Sequence, residues 1–296
     1  MEGPTFKEKI ELEKAKIFLK KLKIPLMRIA VVVLSVLIGN ALYFSIWSSD
    51  EMTTSLSSLS DSSDDCSVIG INLHGYLMTY IPPHSESDPL FNYDSVASED
   101  IIFKIKQANE DESIKAIILE VDSGGGSGIA GEEVSNVIKN SAKPIIGWIR
   151  GVSASASYFA VSSADRIFAS KFSDVGGIGV TQSYLSNVKK NQKDGLNYEQ
   201  LIAGKYKDSG RPDKPLTEDE KNLFLRDINI GYENFMQAVS VNRNIPIEKV
   251  REIADGSTVM GERAMKIGLI DEIGGINEVE TYLEETIGEK PEICWK

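Results

Sequence analysis

Two hydrophobic patterns divide this chain. Ile29 to Trp47 (IAVVVLSVLIGNALYFSIW) is a nineteen-residue run without a charge. As a helix rising about 1.5 Å per residue it spans roughly 28 Å, close to the hydrocarbon thickness of a bilayer. Gly39 and Asn40 weaken it, while Tyr43 and Trp47 fall at its far end, where interfacial aromatics sit. From residue 68 onward short β-branched runs alternate with amphipathic stretches. The predicted strands are Val68–Leu73, Ile114–Val121, Pro144–Trp148, Arg166–Ala169, Ile178–Val180 with its continuation, and Tyr198–Ile202. The predicted helices are Ser98–Asn109, Gly128–Lys139, Ser155–Ser163, Leu216–Arg243, Ile247–Ala254, Gly261–Ile267 and Asn277–Thr286. This alternation predicts an α/β fold with a mostly parallel sheet. Ile114–Val121 is apolar on both faces apart from Lys115 and Glu120, as a central strand covered by helices would be. Pro82–Ser98 is a long polar insertion and reads as a surface loop.

The helix Leu216–Arg243 has a clear start signal, Thr217 followed three residues later by Glu220. Its apolar positions Leu223, Leu225, Ile228, Ile230, Tyr232, Phe235, Met236 and Val239 cover more than one stripe. Either one subunit buries it on two sides or a second subunit covers part of it.

Charge orients the apolar run. Lys7, Lys9, Lys14, Lys16, Lys20, Lys21, Lys23 and Arg28 precede it, and Ser48–Ser67 carries Asp50, Glu51, Asp61, Asp64 and Asp65 with no basic residue. By the positive-inside rule the N-terminus is cytoplasmic and the rest lies outside the cell membrane, behind a single-pass anchor. A cleaved signal peptide fits less well, because the basic region is long and no Ala-x-Ala site follows. The expected organisation is a basic segment 1–28, an anchor 29–47, a flexible acidic and Ser-rich linker 48–66, and a soluble domain 67–296. A net charge of −12 argues against nucleic acid as a partner. Cys66 and Cys294 bracket the soluble domain; they read equally as one disulfide in an oxidising compartment or as two unrelated thiols.

The candidate chemistry sits in three stretches. Val121-Asp-Ser-Gly-Gly-Gly-Ser-Gly128 follows the apolar strand, Ser155 lies in the small-residue run Gly151–Ala160, and Lys207 lies in Gly204-Lys-Tyr-Lys-Asp208. They supply a nucleophile, an amine base and a glycine loop with free N–H groups, the minimum equipment of a serine peptidase without histidine. The chain has only His74 and His84, one ending a strand and one in a polar loop, where histidine usually has a local role. That scarcity also disfavours a catalytic zinc. Lysine acts as a base only when neutral, and an ordinary pKa near 10.4 leaves about one molecule in a few thousand neutral at pH 7. Leu201, Ile202 and Tyr206 are the expected dry wall lowering that value. Lys205 is the rival base.

In order and spacing these motifs resemble the signal peptide peptidase A (SppA) family of membrane serine peptidases, over roughly residues 67–287. Asp122-Ser-Gly-Gly-Gly126 is similar to its Ser-Pro-Gly-Gly loop, and Ala154-Ser-Ala-Ser-Tyr158 with Ser163-Ala-Asp-Arg-Ile-Phe-Ala169 to its nucleophile block. Gly204–Asp208 is similar to its lysine segment, and Gly261–Gly275 to its C-terminal block. The resemblance implies the Clp-protease/crotonase superfold, a spiral of repeated ββα units. It implies a dyad of Ser155 and Lys207, an oxyanion hole from Gly125 or Gly126 and Ala156, and neither metal nor organic cofactor. It further implies peptide substrates such as cleaved signal peptides, and a homo-oligomeric ring whose neighbouring subunits complete a site. Four positions depart from the pattern: Gly124 replaces a proline, Ala156-Ser157 replaces Gly-Gly, and Gly177 replaces a serine that partners the lysine. Water, Ser173 or Thr181 are the substitutes at hand for that serine. Two other classes share such features, a crotonase-like acyl-CoA enzyme and a non-catalytic membrane scaffold.

Overall fold

β-Branched runs and amphipathic stretches become a mostly parallel sheet with helices on both faces in the computed structural model, which describes residues 66–81 and 94–296. The basic segment, the anchor Ile29–Trp47, the linker to residue 65, His84 and most of the predicted insertion loop lie outside the described residues. Among those described, no helix is long and apolar enough to cross a membrane.

In chain order the elements are β1 (Val68–Met78), β2 (Ser95–Ala97), α1 (Ser98–Glu110), β3 (Ala116–Gly126), α2 (Gly128–Lys139), β4 (Ile145–Ala154) and α3 (Ala156–Val161). β5 (Arg166–Ala169), β6 (Asp174–Gly176), α4 (Val188–Lys193), α5 (Glu218–Arg243) and α6 (Ile247–Ile253) follow. β7 (Thr258–Met260), α7 (Gly261–Lys266), β8 (Glu272–Ile273), α8 (Ile276–Ile287) and β9 (Ile293–Trp295) complete it. The sheet runs β2-β1-β3-β4-β5-β8, with β9 also on β1, β6 on β4 and β7 on β6. Among the described residues only the β6–β7 pair is antiparallel. The described residues form one compact unit.

The periodicity reading holds where packing follows it. Ile117, Leu119, Val121, Ile145 and Ile149 turn one face to α1, α2, α3 and α5, while Ala116, Ile118, Ile146 and Phe168 meet Val279 and Leu283 of α8 on the other. β3 is therefore apolar on both sides, as a covered central strand must be. The capping signal of α5 forms in full: the Glu220 N–H donates to Thr217 Oγ1 (3.3 Å) and the Thr217 N–H to Glu220 Oε2 (3.0 Å).

Two predicted strands do not form. Gly176 and Gly177, at φ 110° and 59°, turn the chain out of the sheet, so Ile178–Val180 is irregular. Tyr198–Ile202 has strand composition but no ladder partner among the described residues. The short strands β2 and β6 to β9 exist because a neighbouring strand is there to pair. β9 lies beside the start of β1 with Cys294 opposite Ile69, and Cys66 and Cys294 form a disulfide with their Cα atoms 5.9 Å apart.

The consequence for the site lies in strand length. β3 and β4 run further than their apolar cores, to Gly126 and Ala154, so both C-terminal ends reach one edge of the sheet. In open α/β sheets that edge is where ligands bind.

Candidate active site

β4 ends at Ala154 and α3 starts at Ala156, so Ser155 is the single residue of a strand-to-helix turn. It adopts φ 54° and ψ −126°, one of two non-glycine residues with positive φ among those described. Such a backbone costs on the order of 1–3 kcal/mol and persists only where its surroundings fix it. Here the Ser155 N–H donates to the Gly176 carbonyl (2.9 Å) and the Ser155 carbonyl accepts the Phe159 N–H (2.9 Å). A sharp turn of this kind lifts a serine hydroxyl off the end of the sheet.

Everything around the turn is small by necessity. A Cβ on Gly125 would lie 2.7 Å from the Ala154 carbonyl oxygen and 2.8 Å from Ser155 Cβ. One on Gly131 of α2 would meet the Ala156 carbonyl oxygen at 2.5 Å. The glycine loop and α2 thus press directly on the backbone of the turn, which explains why positions 125 and 131 are glycine.

Two cavities open on Ser155. One of about 720 Å³ is lined by Gly126, Ala156, Phe159, Val180 and Phe235 among others. The second, about 550 Å³, is lined by Gly177, Ile228, Tyr232, Asp255 and Gly256. Ser155, Gly179, Val180 and Thr181 line both, so the irregular stretch after Gly177 divides the space around the hydroxyl.

The expected oxyanion donors separate on inspection. The Gly125 N–H donates to Ser123 Oγ (3.1 Å) and is engaged within the loop, which corrects the expectation that it is a free donor. Gly126 and Ala156 line the larger cavity beside Ser155. Ala156 is the first residue of α3, whose opening N–H groups have no intrahelical partner.

Lys207 is elsewhere. It is exposed, in a turn between α4 and α5, and is not among the residues lining either cavity. The expected dry wall is absent in a single copy: Leu201 is 88% exposed, and Ile202 and Tyr206 are also exposed. The turn is nevertheless held. Asp208 accepts hydrogen bonds from Tyr198 (2.8 Å) and Gln200 (2.7 Å), and Lys214, which ion-pairs with Glu220, lies 3.7 Å away. Burial works against the Asp208 carboxylate, but those bonds and Lys214 outweigh it and hold its pKa below the ordinary value. The rival Lys205 pairs with Asp219 (2.6 Å), which raises its pKa and keeps it protonated.

Other candidates fall into place. His74 pairs with Glu120 (2.9 Å), which also accepts from Arg150 (2.9 Å), so its contacts are those of a local ion cluster rather than of Ser155. Ser173 is buried, with its hydroxyl at the Arg150 carbonyl (2.9 Å) and accepting the Ser170 N–H (3.0 Å). Thr181 faces both cavities at Ser155. Among the described residues no group of His, Cys, Asp and Glu side chains is placed to hold a metal. Sequence reasoning passed over two buried serines, Ser123 and Ser157. Their signal was polarity at the end of an apolar strand and at the start of a buried helix.

The model of peptidase family S49 matches residues 138–289, a span that includes both Ser155 and Lys207. A Methanocaldococcus jannaschii protein that carries a protease name is 34% identical over 204 residues, 68% of this chain and 66% of that one. The chloroplastic serine protease SPPA of Arabidopsis thaliana is 32% identical over 186 residues, 62% of this chain and 28% of that one. The chain thus covers less than two thirds of either relative's length. The solved structure of a ClpP1 N165D mutant from Listeria monocytogenes aligns at a TM-score of 0.44 and 14% identity, over 71% of this chain and 91% of that one.

Proposed function

The chain belongs to peptidase family S49, and on that premise we propose that it is a membrane-anchored serine endopeptidase with Ser155 as nucleophile and Lys207 as general base. The observation that carries the reading is the Ser155 turn, a positive-φ serine between strand and helix with a cavity on either side. Strain of that kind clusters at functional sites.

The chemistry follows from the donors. Lys207, when neutral, takes the Ser155 hydroxyl proton as Oγ attacks the scissile carbonyl carbon. The N–H groups of Gly126 and Ala156 stabilise the oxyanion, and preorganised donors of this kind commonly supply about 3–4 kcal/mol each. Lys207 then gives its proton to the departing amine, and water hydrolyses the acyl-enzyme by the reverse sequence. Apolar lining from Phe159, Val180 and Phe235 suits apolar peptide segments, signal peptides being the class the family resemblance suggests. Thr181 is the hydroxyl best placed to take over from the serine absent at Gly177.

A second copy of the chain supplies Lys207 in this reading. Supporting it are the exposed Lys207 turn, the exposed apolar residues Leu201 and Ile202 that precede it, and the α5 residues Leu225 and Ile230, which are exposed among the described residues. A homo-oligomer gives these surfaces a partner and the lysine its dry wall. The spiral ββα superfold and the orientation, with Ile29–Trp47 as anchor and the domain outside, complete the proposal; the charge bias across the run supports the orientation. The test is complementation: Ser155→Ala and Lys207→Ala chains, each inactive alone, regain peptide hydrolysis when mixed under conditions that let subunits exchange. A mixture as inactive as its parts, with exchange demonstrated, overturns the shared site.

A further inference from the structure

We infer that Ser157 is a positioning residue that sets the distance between the nucleophile turn and the glycine loop, an inference that rests on the peptidase reading above. Ser157 is fully buried in α3, one residue beyond Ala156. Its hydroxyl accepts the Ala154 N–H (2.9 Å) and has its proton directed at the Ser123 carbonyl (2.7 Å), with the Ala154 carbonyl at 2.8 Å as the alternative acceptor. One side chain thereby joins the residue before the nucleophile to the residue that opens the Gly124–Gly126 run.

The connection adds to what the sheet supplies, because β1 pairs with Gly125 and Gly126 whereas β4 pairs no further along β3 than Ser123. The β3–β4 register shifts between Val121 and Ser123, and Ser123 opposite Ser153 is the last pair of that ladder. Beyond it the glycine run has no β4 partner. On the β1 side Ser123 Oγ donates to the Gly75 carbonyl (2.6 Å) while accepting the Gly125 N–H (3.1 Å). Ser123 and the ladder pairs of Gly125 with Tyr76 and Gly126 with Leu77 therefore anchor the loop to β1, and Ser157 anchors it to the helix that carries Ala156. With both bonds in place, Gly126 and Ala156 hold a fixed separation around the Ser155 hydroxyl. Gly124 is the weak point, since no heavy atom lies within 4 Å of a Cβ placed there. Its backbone lies outside the left-handed region, so alanine fits and stiffens the loop.

The experiment uses the full chain with Ser157→Ala, Ser157→Gly, Gly124→Ala and the double variant Ser157→Ala/Gly124→Ala. Turnover of an apolar fluorogenic peptide is expressed per site titrated with a serine-directed phosphonate, so misfolded molecules do not count. Ser157→Ala is expected to lower kcat per titrated site by about ten- to a hundredfold, the range for a sub-ångström misplacement of reacting groups. KM should stay within about twofold and the pH profile unmoved, since no titrating group changes. Gly124→Ala should recover part of the lost kcat in the double variant. If Ser157→Ala folds poorly, Ser157→Gly with Gly124→Ala carries the same comparison. Unchanged kcat per site in both Ser157 variants, with Ser155→Ala inactive, overturns the positioning role and leaves the peptidase reading standing. Full turnover by Ser155→Ala overturns both.

Discussion

Replacing Gly125 with alanine tests how tightly the loop and the Ser155 turn are fitted. The added Cβ would sit 2.8 Å from Ser155 Cβ, while carbon atoms rest at about 3.5–4.0 Å. One side must therefore retreat by about 0.7 Å or more. The Ala154 carbonyl oxygen, 2.7 Å from the same point, blocks the simplest adjustment. Gly125 also has φ 106°, a conformation that costs an L-residue on the order of 1–3 kcal/mol. Misplacement approaching 1 Å at a reacting group costs about a hundredfold in rate, close to 2.7 kcal/mol of barrier. The expected result is a fall of about a hundredfold in kcat per titrated site, with stability reduced by about 1–3 kcal/mol in urea unfolding. Both are read on one preparation, by peptide turnover with phosphonate titration and by the denaturation midpoint. Turnover within threefold of the parent would refute the idea that Gly125 is required by contact with Ser155.

Three further outcomes follow from the same geometry. Lys207→Arg should be inactive, because a guanidinium stays protonated, while Lys205→Arg should keep most activity; the opposite pattern in peptide turnover moves the base to Lys205. Cys66→Ser/Cys294→Ser opens a crosslink between residues 228 apart in sequence, and the loop-entropy limit is about 5 kcal/mol. Urea unfolding with and without reductant should show a loss of several kcal/mol, and coincident curves would contradict it. The hydrogen bond from Lys214 lowers the Glu220 pKa from 4.5, so its stabilisation is full above that value and is lost as pH falls through the lowered one. Glu220→Gln should flatten the stability loss below about pH 4.5 in acid titration; an unchanged slope would count against that link.

Legibility in the sequence tracked the locality of the cause. Helices α2 and α5 were readable because Thr217, Glu220 and the apolar spacing act within a few residues of one another. The β4 reading stopped at Trp148, since Arg150 and Gly151 break the apolar run, yet the ladder carries the strand to Ala154. Tyr198–Ile202 is not a strand because strand composition needs a neighbour, and none of the described residues pairs with it. Ser155 was visible as a serine among small residues. Its positive φ, the engagement of the Gly125 N–H and the Ser123–Ser157 link were not, because each depends on three strand ends meeting at one edge. The lysine segment was located but not its setting, which lies on a surface that a single copy leaves exposed.

The most direct test of the account is peptide turnover by Ser155→Ala in the full-length chain, checked for native folding. Alanine removes the hydroxyl and adds no bulk to the turn. The account predicts a fall of at least about ten thousandfold, the scale on which losing a serine nucleophile leaves only binding and oxyanion stabilisation. Retention of more than a few per cent of wild-type turnover would contradict it and remove Ser155 as the nucleophile.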